Sequence, residues 1–154
     1  MSDTPNGNGP GVSVDESVNS DDTLVPNDSP EPRSANDKCY RLELFLDGKS
    51  IGWLGADNDE WAVVRNKDDA MQLSDYLEGG VLYIQKYGRS RWMAVSTRHY
   101  VGFYKWAYAR GWEYKNDRLY SNTSGCALSV NWDHSKYLYC WDKYSTLTVK
   151  KRSC

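Results

Sequence analysis

Trp53-Leu54-Gly55-Ala56 is echoed 39 residues later by Trp92-Met93-Ala94-Val95, and 35 residues further on by Ala127-Leu128-Ser129-Val130. Each copy is short and apolar, with a small residue in third place. Self-similarity at such a period constrains architecture more than any single residue does. It divides the C-terminal three-quarters of the chain into three similar pieces, and all seven tryptophans fall within them.

Around each copy, short alternating runs broken by Gly, Asn and Asp read as strands and turns. In the first piece the strands are expected at 40–46, 52–56, 60–65 and 71–77, with Asp47-Gly48 as a tight turn and a single helical turn near Asp68 and Asp69. The second piece places them at 81–85, 92–96, 101–106 and 112–115, and the third at 118–121, 126–130, 137–141 and 147–151. Twelve short, evenly spaced strands with no proline among them argue for an all-β barrel or sandwich. Twenty-one aromatic residues between positions 38 and 154 reinforce this, because rings fit a pleated, half-buried surface.

Three units of four strands resemble the β-trefoil, a six-stranded barrel closed at one end by three hairpins. The resemblance covers residues 39–154 and rests on repeat spacing and on the recurring second strand. It implies a recognition fold used by lectins and by protease inhibitors. The Gln-x-Trp element of ricin-type lectin repeats is absent; Trp106 and Trp141 fall near the equivalent places without it. A βγ-crystallin-like sandwich, suggested by the aromatic–glycine run 83–92, ranks second because three repeats fit it poorly.

Upstream, the composition changes. Residues 1–37 hold all five prolines, no aromatic residue, and eight acidic side chains against Arg33 alone, a net of −7; residues 38–154 carry 18 basic and 13 acidic side chains, a net of +5. A segment so poor in apolar surface is expected to be a disordered acidic tail, joined to a mildly basic domain at 38–154. No run of apolar residues is long enough for a transmembrane helix. The N-terminus lacks the basic and apolar regions of a standard signal peptide, so the expected location is cytoplasmic, or outside by another route of export. Cys39 and Cys154 bracket the domain and Cys126 and Cys140 lie inside the third repeat; whether they are thiols or bridges is open from sequence. With no Cys-x-x-Cys pair and only His99 and His134 to join a mixed site, zinc is not expected, nor any other cofactor.

Catalysis needs paired groups held close together. Two histidines and scattered carboxylates offer no such set, so the chain reads as a non-enzymatic recognition module. Carbohydrate binding needs a ring for the apolar face of a sugar and polar groups beside it. Asn131-Trp132-Asp133 supplies both in one loop, and Trp132 is the leading candidate contact. Trp106, Tyr108 and Trp112 form a second candidate cluster. Asp57 and Asp59 occupy the loop of the first repeat that corresponds to 131–134 in the third; the bland reading of these carboxylates is a solvated turn. The alternative to a glycan partner is a protein, with the domain acting as a protease inhibitor or a toxin-neutralising module. Basic and aromatic residues do interleave at Lys86, Tyr87, Arg89 and Arg91, but the acidic tail argues against a nucleic-acid partner.

Overall fold

The computed structural model describes residues 9–20, 25–32 and 38–154. The fold is all-β. Its first strand, β1 (Tyr40–Leu46), shows why: Tyr40, Leu42 and Leu44 point inward while Arg41 and Glu43 point out, the period of two that a half-buried strand requires. The remaining strands are β2 (Lys49–Ala56), β3 (Ala62–Arg65), β4 (Leu73–Glu78), β5 (Val81–Lys86), β6 (Trp92–Val95), β7 (Val101–Tyr104), β8 (Trp112–Lys115), β9 (Arg118–Ser121), β10 (Leu128–Val130), β11 (Leu138–Cys140), β12 (Ser145–Thr146) and β13 (Thr148–Ser153). Each of the twelve expected strands has a counterpart, and β12 is an additional short one. The expected helical turn is a 3-10 turn at Lys67–Asp69. A second, Trp106–Tyr108, cuts short the strand expected to reach Trp106, since β7 stops at Tyr104.

Antiparallel pairing runs from β1 to β4, β4 to β5, β5 to β8 and β8 to β9, while β13 returns to lie along β1. The Val149 amide donates to the Asp117 carbonyl at 2.7 Å, linking the last strand to the turn before β9. The sheet thereby curls around a core of Leu42, Leu44, Leu73, Ile84, Leu119 and Leu147. Two-residue turns at Asp47-Gly48, Gly79-Gly80 and Asn116-Asp117 all have positive φ at both positions, the hairpin geometry whose twist matches that of the strands.

Three hairpins complete the fold: β2–β3 and β6–β7 continue this sheet from β1 and β5, and β10–β11 forms a second sheet with β12. The repeated tetrapeptides are their first strands. Leu54, Met93 and Leu128 are all fully buried, and face Val64, Phe103 and Cys140. The hairpin tips interlock in a ring. Trp61 bridges to Gly102, Tyr100 to Tyr139, and Tyr137 to Val63, so each tip rests on the return strand of the next hairpin. The hydrogen bonds repeat the cycle: the Phe103, Cys140 and Val64 amides donate to the Glu60, His99 and Lys136 carbonyls at 2.9, 2.8 and 2.8 Å.

Two disulfides join Cys39 to Cys154 and Cys126 to Cys140, with Cα separations of 5.5 and 5.3 Å. Among the described residues no helix is long and apolar enough to cross a membrane.

The structure differs from expectation most in the acidic arm. Residues 9–20 and 25–32 lie against the domain, and 14–20 form a helix, α1 (Val14–Ser20); residues 1–8, 21–24 and 33–37 lie outside the described residues. The physical reason is local. Ser13 and Glu16 form a reciprocal cap on α1: the Ser13 hydroxyl accepts from the Glu16 amide and donates to its carboxylate, both at 3.2 Å. Val14 is completely buried among Trp61, Ala94, Tyr100, Tyr104 and Tyr139. Composition averages over such a single anchor.

Candidate functional site

The loop between β10 and β11 is two residues longer than its counterparts, running 131–137 against 57–61 and 96–100. All three loops use one polar side chain to order the tip. The Asp57 carboxylate accepts from the Asp59 and Trp61 amides at 2.9 and 3.0 Å; the Ser96 hydroxyl accepts from the Arg98 and Tyr100 amides, both at 3.2 Å; the Ser135 hydroxyl accepts from the Tyr137 amide at 3.0 Å. Side-chain oxygens that mimic a backbone acceptor are why Asp and Ser suit such turns. The extra residues of the third loop coil into a tight turn, in which the Asn131 carbonyl accepts from the His134 and Ser135 amides, both at 2.9 Å. That turn turns Trp132 outward. Its ring is 38% exposed, alone among the described tryptophans in being a large exposed hydrophobic residue. Asp133 beside it is exposed and Asn131 half-buried.

Asp57 and Asp59 are placed otherwise. Both Asp57 oxygens are engaged, one within its own tip and the other by the Tyr137 hydroxyl at 3.0 Å. Partial burial, with the hydrogen bond to Asp57 adding to it, pushes the Tyr137 phenol up to about 12. Asp57 is therefore a clasp between the first and third hairpins. The Asp59 side chain is exposed, and its carbonyl accepts from the Val14 amide at 2.9 Å.

Trp106, Tyr108 and Trp112 do not share a surface. Trp112 is 1% exposed in the central core, its indole N–H donating to the Met93 carbonyl at 3.0 Å, so the ring meets no ligand there. Trp106 is 5% exposed and packs edge-on against Trp92 and Tyr83, with both centroid separations 4.9 Å. Tyr108 is half-buried and leans on Tyr104 in a different aromatic cluster. Trp106 and Tyr108 diverge at the 3-10 turn, Trp112 enters the central core, and the arm caps Trp106, with Ser29 accepting from its indole and Asn27 donating to its carbonyl.

Sequence reasoning missed a cleft of about 420 Å³ between the tip of the second hairpin and the loop after β9. His99 and Trp141 stack in it with ring centroids 3.7 Å apart, and Ser96, Thr123, Arg110 and Asp142 supply polar groups. The Trp141 indole nitrogen is buried there with no hydrogen-bond acceptor among the described residues. Burial pulls the Arg110 guanidinium below its ordinary value. The signal that points to this cleft is the alignment of the loop 97–100 with 57–61, which puts His99 at the tip position of Glu60; both have a positive φ.

The sequence matches no protein-family model and no curated protein.

Proposed function

We propose that this chain is a non-catalytic recognition module on a β-trefoil, and that its ligand is a carbohydrate. The cyclic interlock of three hairpins above a curled sheet whose first and last strands pair supports the trefoil reading. One observation carries the ligand reading: the Trp132 ring stands exposed on a loop tip, flanked by an amide and a carboxylate. An exposed indole offers a flat apolar platform for the C–H face of a pyranose, and Asn131 and Asp133 offer hydrogen bonds to its hydroxyls. The cleft at His99 and Trp141 provides a second, concave position, and two weak sites on one rigid domain gain avidity on a multivalent glycan. Two cystines support work in an oxidising compartment.

The test is a glycan array probed with the full chain and with Trp132→Ala. Selective binding that the substitution reduces by about tenfold or more is expected, with stability changed by less than about 0.5 kcal/mol, as for other surface substitutions. A blank array with folded protein, or binding indifferent to Trp132, overturns the reading. The second reading, a protein partner, is favoured by one observation: a face of the domain already holds a peptide, its own arm.

A further inference from the structure

The arm is held by outward-pointing donors of the domain, and nearly all of its contacts are discrete. The Trp61 indole N–H donates to the Val12 carbonyl at 2.6 Å, that of Trp106 to the Ser29 carbonyl at 2.8 Å, and that of Trp92 to the Glu31 carboxylate at 3.0 Å. The same carboxylate accepts from the Ser90 hydroxyl. Arg91 grips Asp15 with two nitrogens at 2.7 and 2.9 Å, and Arg98 donates to the Pro10 carbonyl at 3.2 Å. Asn27 donates its side-chain amide back to the Trp106 and Ala109 carbonyls at 2.8 and 3.0 Å. Between these clamps Val14 fills a socket floored by Gly102, where an added Cβ would lie 2.8 Å from the valine methyl. The same Cβ would lie 2.9 Å from the Trp61 ring, so Gly102 makes room for both the indole and the valine.

Three indoles and two guanidinium groups on one face, around an apolar socket, are the residue types that concentrate binding energy at protein interfaces. Arg91 also serves the hairpins, donating to the Phe103 carbonyl at 3.2 Å and lying 3.9 Å from the Glu60 carboxylate; the three indole N–H groups have their acceptors in the arm. Charge is complementary: Arg91 holds Asp15 with Lys105 nearby, and Glu31 shares a surface with Lys86, Arg89, Arg91 and Lys105, where the one acid of the domain, Glu60, is itself paired with Lys86.

We propose that this face is a peptide-docking groove for an acidic, valine-anchored segment of a partner protein, and that residues 9–20 and 25–32 occupy it in cis. The groove reads carbonyls and two carboxylates rather than a strand edge, so occupants exchange without breaking the sheet. Because a tethered arm acts at an effective concentration of about millimolar, a partner segment binds weakly until the arm is released or out-competed. This inference does not rest on the carbohydrate reading.

The probe is a fluorescein-labelled peptide of residues 9–32, titrated into the wild-type full chain and into the full chain carrying Val14→Asp and Asp15→Lys, with near-ultraviolet circular dichroism to confirm an intact domain. The variant's own arm no longer competes, so it is expected to bind the peptide about tenfold or more tightly than the wild type does. Should that variant misfold, Asp15→Lys alone, which leaves the valine socket untouched, replaces it. Adding Arg91→Asp to the variant is expected to lose binding, and a peptide carrying Asp15→Arg to restore it; a merely structural Arg91 would not show that rescue. Equal affinity of wild type and variant, or binding indifferent to Arg91→Asp, overturns the proposal. So does concentration-dependent self-association of the wild type that Val14→Asp abolishes, which would assign the groove to the arm of a second copy.

Discussion

Val14→Ala separates an arm that docks from one that is part of the folding unit. Val14 is fully buried, yet its cluster of Trp61, Tyr100, Tyr104 and Tyr139 is distinct from the central core of Leu42, Leu54 and Ile84. The substitution removes two carbons from the socket, worth about 1.6 kcal/mol at roughly 0.8 kcal/mol per buried methylene. If the arm undocks as a local unit, this loss falls on the docking equilibrium alone. The undocked population then rises about fifteenfold, at about 1.4 kcal/mol per factor of ten. Native-state cleavage at Glu16 by a glutamate-specific protease reads that population, because local opening and closing are fast relative to cleavage. A fifteenfold faster cut is expected, with the denaturant midpoint of the domain unchanged. An unchanged cleavage rate would mean that the helix is not held by its valine. A midpoint that fell together with faster cutting would mean that arm and domain unfold as one, and the local argument would fail.

Three other outcomes follow from the geometry. Trp112→Phe keeps a buried ring but leaves the Met93 carbonyl without its 3.0 Å donor, and should cost about 1–3 kcal/mol by chemical denaturation. Tyr137 and Tyr139 both have phenols raised to about 12, by burial first, from an ordinary value of 10; their contribution to stability is whole below pH 10 and is lost as pH rises through 12, so denaturation midpoints should fall across that window and fall less in Tyr137→Phe. Replacing Cys39 and Cys154 by serine releases a separation of 115 residues against 14 for Cys126 and Cys140; chain entropy assigns the first bridge about 4–5 kcal/mol and the second about 3, so the first pair of substitutions should lower the thermal midpoint further.

The hairpins were legible because their information is local. Leu54, Met93 and Leu128 repeat at hairpin spacing, and alternation of the kind seen in β1 marks which side chains turn inward. Asp47-Gly48 and Gly79-Gly80 announce turns by the residue types that tolerate positive φ. What sequence did not show is which aromatic residues the sheet would cover. Trp106, Trp112 and Trp132 have similar surroundings in sequence, but only the last sits on a lengthened loop, and burial of the first two depends on strands far away in the chain. The arm was illegible for a related reason. Its composition is that of a solvated tail, and its order comes from one buried valine and from an aspartate and a few carbonyls that meet donors 49 to 88 residues away. The stacking of Trp141 on His99 is not visible in sequence because the two belong to different repeats.

The ring of hairpin tips has no first member. Each tip leans on its neighbour in the same sense, and the Cα atoms of Cys39 and Cys154 lie 5.5 Å apart where β1 and β13 run side by side. Connectivity through residue 38 or 154 is therefore incidental to how the domain holds together. A circularly permuted domain, joined across those ends and opened at the exposed Gly79-Gly80 turn, would keep the contacts among its own strands in a different order, without the arm. The covalent thread enters this architecture at a place the architecture itself does not distinguish.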